Sequence, residues 1–322
     1  MTTSLLTGAI FGTGLTLSGV ANPQVIKNQF RLSDFHMLAT FLTASATSAA
    51  IFTLYNSKTT KIPPRSATSH GWLGSYDGNV IGGAMLGLGI SLTGACPGTV
   101  LVQATAGIGA SRLLAYTSLL AGVVWVRCKP FLVKPPMSRA ENKSVMSITG
   151  LSAGKVLIGY EITMLAILAA ILYVAPRSVT LLHPVVGGLL IGFGQLSSVI
   201  LTKKPVGVSG AYEEFGKLFW DIIDGTGIKS IPQNILFACG LMLGSWATLS
   251  HFPAIREVMS HSEQASLPMV LIGGASLVFG ARIAGGCTSG HGISGMATMG
   301  LSSFITIASM FGAGLVAGLF FS

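Results

Sequence analysis

The sequence predicts an all-α integral membrane protein with about nine transmembrane helices, short re-entrant half-helices and an inverted-topology internal repeat. Half of its 322 residues are apolar and only 9% are charged, against roughly 25% charged residues in a soluble domain. The 42 glycines favour close helix packing in lipid, where small residues let backbones approach. A sixteen-residue pattern also occurs twice, as IGGAMLGLGISLTGAC at 81–96 and IGGASLVFGARIAGGC at 272–287. We expect a single membrane domain over 1–322.

Nine apolar segments have spanning or near-spanning length. They lie near 4–20, 35–55, 79–96, 111–127, 155–174, 183–201, 233–250, 268–286 and 301–320. Three semi-apolar pieces between them, at 97–110, 206–223 and 288–299, are too short to cross a bilayer. Half-helical backbone at membrane depth is tolerated only where protein or a water-filled cavity surrounds it. We therefore expect these pieces to be re-entrant half-helices that face a pathway.

The repeated pattern divides the chain into two halves. At a constant offset of 191, eight of the sixteen positions are identical, and both copies end in a cysteine, Cys96 and Cys287. A weaker match at offset 180 pairs Gly8, Gly12, Gly14 and Ser18 with Gly188, Gly192, Gly194 and Ser198. Repeat 1 then covers about 4–127 and repeat 2 about 183–320, with an intervening span at 155–174. One span between two four-span halves inverts the second half, an architecture typical of transporters.

The basic residues predict the orientation in the membrane. With nine spans, one side carries Lys58, Lys61, Arg65, Arg127, Lys129, Lys134, Arg139, Lys143, Lys155, Lys203, Lys204, Lys217 and Lys229. The other side carries Lys27, Arg31, Arg112, Arg177 and Arg256. By the positive-inside rule this predicts a multi-pass protein of the plasma or inner membrane, with the N-terminus cytoplasmic and the C-terminus outside. We expect no nucleic-acid partner, because the basic residues are scattered over loops without a basic helix or stacking aromatics.

Each copy of the repeat ends in residues that suit an anion site. Cys96 precedes Pro97, Gly98 and Thr99. Because proline suits the first position of a helix, we expect Cys96 near the N-cap of a half-helix, where free N–H groups and the positive dipole end attract anions. Cys287 precedes a run of hydroxyls and backbone donors that includes Thr288, Ser289, Gly290 and His291. The two thiols add a soft contact for an anion with an exposed, polarizable sulfur.

Two further side chains near the second copy are candidates. Arg282 lies in an apolar segment just before Cys287, and an intramembrane charge is a functional hypothesis by default. Its alternatives are snorkelling to the interface and binding to backbone carbonyls. His291 is a candidate for a substrate or gating role, and the alternative is that it caps a turn.

The motifs at these positions resemble a known family. GLGISLTGACPGT (87–99) and GARIAGGCTSGHGISG (280–295) resemble the two signatures of the YeeE/YedE sulfur-transport family. FGTGLTLSGVANPQVI (11–26) and GGLLIGFGQLSSVILTKKPVGVSGAY (187–212) are similar to its other stretches, and the N-terminal part resembles the PmpA/PmpB-type branch. The resemblance covers nearly the whole chain apart from the loops near 56–78 and 128–150.

The resemblance implies uptake of thiosulfate or a related sulfur-containing anion, with pathway cysteines that contact the substrate. It carries over to Cys96 and Cys287, and with less force to the flanking residues Pro97, Gly98, Thr99, Thr288, Ser289 and His291. Family members often have a further cysteine in the first Gly-rich segment, whereas no cysteine precedes Cys96 here. The expected partners are a small inorganic sulfur anion and the lipid bilayer; uniport and coupling to a soluble cytoplasmic sulfurtransferase both stay open.

Three other functions are weighed against this one. A transporter of another sulfur or selenium species would use the same residues. A membrane sulfurtransferase would use a persulfide-forming cysteine and would need a general base beside it, for which His291 is the nearby residue. A purely structural membrane subunit is the third alternative, and the paired cysteines argue against it. We expect no enzymatic activity and no cofactor, and the four dispersed cysteines contain no CxxC metal or redox motif.

Overall fold

A computed structural model describes residues 2–59, 61–133, 143–175, 182–228, 230–263 and 265–321. These residues form fourteen α-helices and one π-helix, with no β-strand among them. The first half contains α1 (Thr2–Leu17), α2 (Pro23–Phe30), α3 (His36–Lys58), α4 (Asp77–Thr93), α5 (Thr99–Ala106) and α6 (Ser111–Leu132). Then follow α7 (Val145–Thr149), α8 (Ala153–Val174), α9 (Pro184–Thr202), α10 (Gly210–Ile223), α11 (Gln233–His251), α12 (Pro253–Ser260), α13 (Leu267–Ile283), the π-helix (Thr288–Gly295) and α14 (Leu301–Phe320). The basic residues Lys134, Arg139, Arg177 and Lys229 lie outside the described ranges.

All nine predicted apolar segments are helical, but not all of them are long. Four helices are long and apolar enough to cross a membrane, α3, α8, α9 and α14, and counting each of two bent pairs as one span raises the number to six. The shorter α1, α4 and α13 have 16, 17 and 17 residues. At 1.5 Å per residue such a helix spans about 25 Å, less than a hydrocarbon core of about 30 Å. The count of nine spans and the inverted repeat stay predictions.

Glycines let the inner helices pack closely. α1 packs on α11 and α9, and α4 packs on α13 and α14. A Cβ atom at Gly87 would overlap the carbonyl oxygen of Met310, and one at Gly12 would overlap the carbonyl of Leu241. Backbones that meet at such distances tolerate no side chain between them. The glycine-rich composition is therefore explained by the helix pairs α4–α14 and α1–α11.

The three semi-apolar pieces each contain a helix that is too short to span. α5 lies within 97–110, α10 within 206–223 and the π-helix within 288–299. All eight residues of the π-helix are buried, as are six of the eight in α5. Burial in protein is the environment that non-spanning backbone at membrane depth requires. Whether these helices re-enter the membrane from one side stays a prediction.

Helix α8 is the intervening segment of the predicted repeat. It packs on α3 and α7, and only Val156, Tyr160, Met164 and Leu168 along its length are buried. Its other large apolar side chains, Ile158, Ile162, Leu165, Ile167, Leu172, Tyr173 and Val174, are exposed. In a membrane protein this surface faces lipid, since apolar groups there cost nothing to expose to hydrocarbon chains.

Candidate functional site

The first repeat cysteine lies in the break between α4 and α5. Gly94 ends α4 in the left-handed conformation, with φ of 66°. The backbone N–H of Cys96 donates to the hydroxyl of Thr99 at 2.7 Å, and the N–H and hydroxyl of Thr99 each lie 3.5 Å from the thiol sulfur. The sulfur is thus held at the N-terminal end of α5.

Pro97 lies in the turn that leads into α5. The helix begins at Thr99 with Gly98 at its N-cap, two residues after the proline that the sequence places at the first helical position. The N–H of Val100 bonds the carbonyl of Cys96 at 2.9 Å, which is the i to i−4 spacing of an α-helix, so Cys96 lies near the N-terminal end of α5. The carbonyl of Pro97 accepts a 2.7 Å hydrogen bond from the hydroxyl of Tyr212 on α10.

The second repeat cysteine lies in the equivalent break between α13 and the π-helix. Gly285 is left-handed there, with φ of 76°, and Cys287 is 1% exposed. Its sulfur lies 3.3 Å from the hydroxyl of Ser289, and Ser209 and the N–H of Gly290 are further hydrogen-bonding neighbours of this thiol. Its carbonyl accepts the N–H of His291 at 2.8 Å, which fixes the first turn of the π-helix.

The two cysteine-bearing breaks meet at one cavity. Cys96 and Thr99 of the first break line it together with Thr288 and Ser289 of the second, the two residues that follow Cys287. Its polar wall consists of Thr40, Cys96, Thr99, Thr288 and Ser289, and its apolar wall includes Phe11, Leu15, Val20, Ile26, Met37, Phe41, Ile90, Ile191 and Ile293. A mostly apolar cavity with a few convergent polar groups suits a small ligand.

Buried hydrogen bonds anchor the π-helix. His291 donates from Nε2 to the carbonyl of Ala284 at 2.9 Å, so that Nδ1 of the neutral ring accepts from the hydroxyl of Ser303 at 3.1 Å. The hydroxyl of Thr288 points to the sulfur of Met310 at 3.6 Å. Both ring nitrogens of His291 are therefore engaged within the protein, which supports the interpretation that it stabilises a turn.

Arg282 forms a largely buried ion pair with Glu213. Its Nη1 donates to Glu213 at 2.9 Å and its Nη2 to the hydroxyl of Ser209 at 3.2 Å. Lys129 and Lys217 also pair with Glu213, at 2.9 and 3.1 Å. Burial alone would raise the pKa of the Glu213 carboxyl, but the hydrogen bond from Lys129 and the charges of Arg282 and Lys217 lower it to about 2. The Arg282 charge is thus balanced by a carboxylate on α10.

The 61–76 loop, which joins α3 to α4, folds back over the C-terminal end of α13. Side chains of this loop form hydrogen bonds with three successive backbone carbonyls there. His70 bonds the carbonyl of Ile283 at 2.8 Å, Thr68 bonds that of Ala284 at 3.1 Å, and Arg65 bonds that of Gly285 at 2.6 Å. Since the last carbonyls of a helix lack intrahelical partners, this loop completes the break that carries Cys287.

The match to a family model decides the family. The model, described as sulphur transport, matches residues 18–316 of the chain. The chain belongs to the sulphur transport family. Two similar proteins from Xylella fastidiosa are named probable transporter: that of strain Temecula1 is 29% identical over 141 residues, and that of strain 9a5c is 28% identical over 141 residues. Each alignment covers 43% of this chain and 93% of the relative. Together with its apolar helices, the family identifies a multi-pass membrane transporter.

One residue of the site in this sulphur transport protein was missed from the sequence. The sequence marks Arg65 only as a basic loop residue, yet its guanidinium binds the carbonyl of Gly285, two residues before Cys287. A Cβ atom at Gly286 or Gly290 would lie 2.6 or 2.9 Å from its Nη atoms. No local signal marks this role, because the contact joins residues 220 positions apart.

The remaining cysteines lie away from the paired thiols. All four cysteines are free; Cys239 is exposed and Cys128 is half-buried. Neither lines the cavity that Cys96 shares with Thr288 and Ser289. Among the described residues, no group of three or more His, Cys, Asp or Glu side chains is placed to hold a metal ion. Cys239 therefore serves as a natural control for the two repeat cysteines of this transporter.

Proposed function

We propose that this sulphur transport protein takes up thiosulfate or a related sulfur-containing anion along a central pathway that passes Cys96 and Cys287. One observation carries the proposal: the two helix breaks that carry the repeat cysteines meet at one cavity, which Cys96 lines with hydroxyls of both breaks. A sulfur-containing anion matches both the soft thiols and the polar wall. In this arrangement Thr99, Thr288 and Ser289 contact the anion's oxygen atoms.

Weak contacts make such a site suitable for passage. A thiol that donates an S–H hydrogen bond to sulfur or oxygen contributes about 0.5–1 kcal/mol, as weak hydrogen bonds do. Conduction requires binding that is favourable enough for entry and weak enough for release. Two such contacts in sequence let the anion pass from Cys96 to Cys287 without a covalent intermediate. Gly98 leaves room beside the thiol of Cys96, whereas the space beside Gly290 is filled by Arg65.

The direction of passage follows from the predicted topology. The 61–76 loop and the basic residues Lys129 and Lys217 belong to the side assigned to the cytoplasm by the positive-inside rule. These groups lie near Cys287 through Arg65 and the Arg282–Glu213 pair. In the proposed path Cys96 is met first from outside, and Cys287 is met last before release into the cytoplasm.

An enzymatic function has less support. A persulfide-forming cysteine needs a base to take its proton, and both ring nitrogens of His291 are already bonded to Ala284 and Ser303. Transport of another sulfur or selenium species uses the same path and differs only in the anion that fits. Turnover of substrate in detergent would indicate the enzyme. The identity of the anion that crosses a sealed membrane distinguishes thiosulfate from another sulfur or selenium species.

The test is uptake of radiolabelled thiosulfate by cells that lack their own importers. Native protein is compared with Cys96→Ala, Cys287→Ala and the exposed control Cys239→Ala at matched membrane expression. We expect native uptake, a several-fold fall in the first two variants and no change in the third. Absence of uptake by well-expressed native protein rejects thiosulfate as the substrate. Full uptake by both repeat-cysteine variants rejects the thiol pathway and leaves transport itself standing.

A further inference from the structure

Two carbonyls at matching positions of the repeat are bound by side chains of different charge. The carbonyl of Gly94, which precedes Cys96 by two residues, accepts the amide Nε2 of Gln103 at 2.8 Å. The carbonyl of Gly285, which precedes Cys287 by two residues, accepts Nη1 of Arg65 at 2.6 Å. Gly94 and Gly285 are related by the same offset of 191 that relates the cysteines. One break is therefore held by a neutral amide and the other by a cation.

The match extends to the backbone carbonyls of the two residues that bind the breaks, Gln103 and Arg65. Ser111 donates from its hydroxyl to the carbonyl of Gln103 at 2.9 Å, and Ser302 donates to the carbonyl of Arg65 at 2.8 Å. Ser111 and Ser302 are again related by the offset of 191. Gln103 and Arg65 are not, since Gln103 belongs to α5 and Arg65 to the 61–76 loop. Two unrelated segments thus occupy the same structural role, and they differ in charge.

The charge of Arg65 has no carboxylate partner among the described residues. Arg282 beside it is neutralised by Glu213 at 2.9 Å, whereas the Arg65 guanidinium donates to the backbone carbonyl of Gly285. An arginine has five N–H donors, so one such bond leaves most of them for another acceptor. None of the Arg65 nitrogens is a fully buried polar atom without a hydrogen-bond partner.

The surroundings of this guanidinium suit a small anion. It binds the carbonyl of Gly285 and lies against Gly286 and Gly290, on either side of Cys287, where the absence of Cβ atoms leaves the backbone close to it. Gly207 on the facing segment is a third glycine, with its Cβ position 3.6 Å from Nη2. A planar guanidinium presents paired donors that match an oxyanion. The thiol beside it adds a contact for sulfur.

We propose that Arg65 forms a second anion subsite, in which its guanidinium binds the oxygen atoms of a sulfur oxyanion while Cys287 contacts its sulfur. This inference rests on the proposed function for the identity of the anion. Gln103 fills the corresponding position beside Cys96 without a charge, so the two ends of the pathway differ in anion affinity. The stronger subsite lies at the Cys287 end, from which the anion leaves.

The test measures anion binding by the purified full-length chain in detergent, with sodium thiosulfate and sodium sulfate as probes in isothermal titration. Arg65→Gln copies the side chain of the other break and can keep the bond to Gly285. Lys61→Gln removes an exposed charge from the same loop and is the matched control. We expect a dissociation constant for thiosulfate raised about tenfold or more in Arg65→Gln, as for loss of a charge-assisted bond, and unchanged in Lys61→Gln.

Arg65→Lys provides a second variant in case the glutamine variant fails to fold. Lysine keeps the charge but loses the fork of donors, so we expect weaker binding than native at an unchanged gel-filtration profile. Binding as tight as native in a folded Arg65→Gln or Arg65→Lys overturns the subsite. So does the absence of binding of both anions by native protein.

The outcomes separate this inference from the proposed function. Native protein that binds thiosulfate through Arg65 but shows no uptake in cells keeps the subsite and rejects thiosulfate transport. Native uptake that Arg65→Gln retains in full, with unchanged binding, keeps transport and rejects the subsite.

Discussion

The hydroxyl of Tyr212 donates a 2.7 Å hydrogen bond to the carbonyl of Pro97. Tyr212 is 1% exposed and belongs to α10, whereas Pro97 lies in the break between α4 and α5. One buried side chain of the second half thus holds the cysteine-bearing break of the first half in place.

Removal of this bond should destabilise the first break. We expect Tyr212→Phe to lower the free energy of unfolding by about 1–3 kcal/mol, because the carbonyl of Pro97 is left buried without its partner. The measurement is the thermal unfolding midpoint in detergent together with thiosulfate uptake, and both should fall. Tyr116→Phe is the control, since Tyr116 is 66% exposed. An unchanged midpoint and uptake in Tyr212→Phe would show that the bond does not position Cys96.

Replacement of sulfur by oxygen should reduce preference for a sulfur-containing anion. In Cys287→Ser the hydroxyl still donates a hydrogen bond but the polarizable sulfur is lost. We expect thiosulfate binding to weaken about two- to fivefold, the factor that corresponds to a contact of ~0.5–1 kcal/mol, with sulfate binding unchanged. Competition between the two anions in Cys287→Ser and in the exposed control Cys239→Ser measures this. An equal loss for both anions would contradict a specific sulfur contact.

The Arg282–Glu213 pair should contribute to stability because it is largely buried. The side chains of Arg282 and Glu213 are 15% and 10% exposed. In Glu213→Gln the guanidinium of Arg282 stays buried without a counter-charge. We expect the free energy of unfolding to decrease by up to about 3 kcal/mol. Glu257→Gln on the exposed face of α12 is the control. A thermal midpoint that falls equally in both variants would mean that the pair contributes nothing beyond a surface charge.

The same carboxylate predicts how stability depends on pH. The pKa of Glu213 is lowered from 4.5 to about 2 in the folded protein. A group with a depressed folded pKa stabilises the protein fully above its unfolded pKa and loses that contribution as the pH falls toward the folded value. We expect the thermal unfolding midpoint of native protein to decrease as the pH is lowered from 4.5 to 2. The midpoint of Glu213→Gln should decrease less over the same range. Parallel curves for the two proteins would contradict the assignment.

The composition and the repeat predicted the helical segments and the cysteine-bearing breaks. Apolar length is a local property of the chain, so segments such as 301–320 coincide with α14 in the structure. The break at Cys96 follows from Gly94, which adopts the left-handed conformation that favours glycine. The family match is consistent with the motifs around Cys96 and Cys287.

Contacts between distant segments could not be predicted from the sequence. Arg65 reaches Gly285 across 220 positions, and Tyr212 reaches Pro97 across 115. The partner of Arg282 is Glu213 on α10, and no spacing in the chain indicates that pairing.

The most direct test of the paired-thiol pathway is thiosulfate uptake into proteoliposomes that contain the purified chain as the only protein. Native protein is compared with the double variant Cys96→Ala/Cys287→Ala and with Cys239→Ala at equal reconstitution. The account predicts uptake above empty liposomes for native protein and Cys239→Ala, and uptake at the level of empty liposomes for the double variant. Uptake by the double variant at the native rate would contradict it.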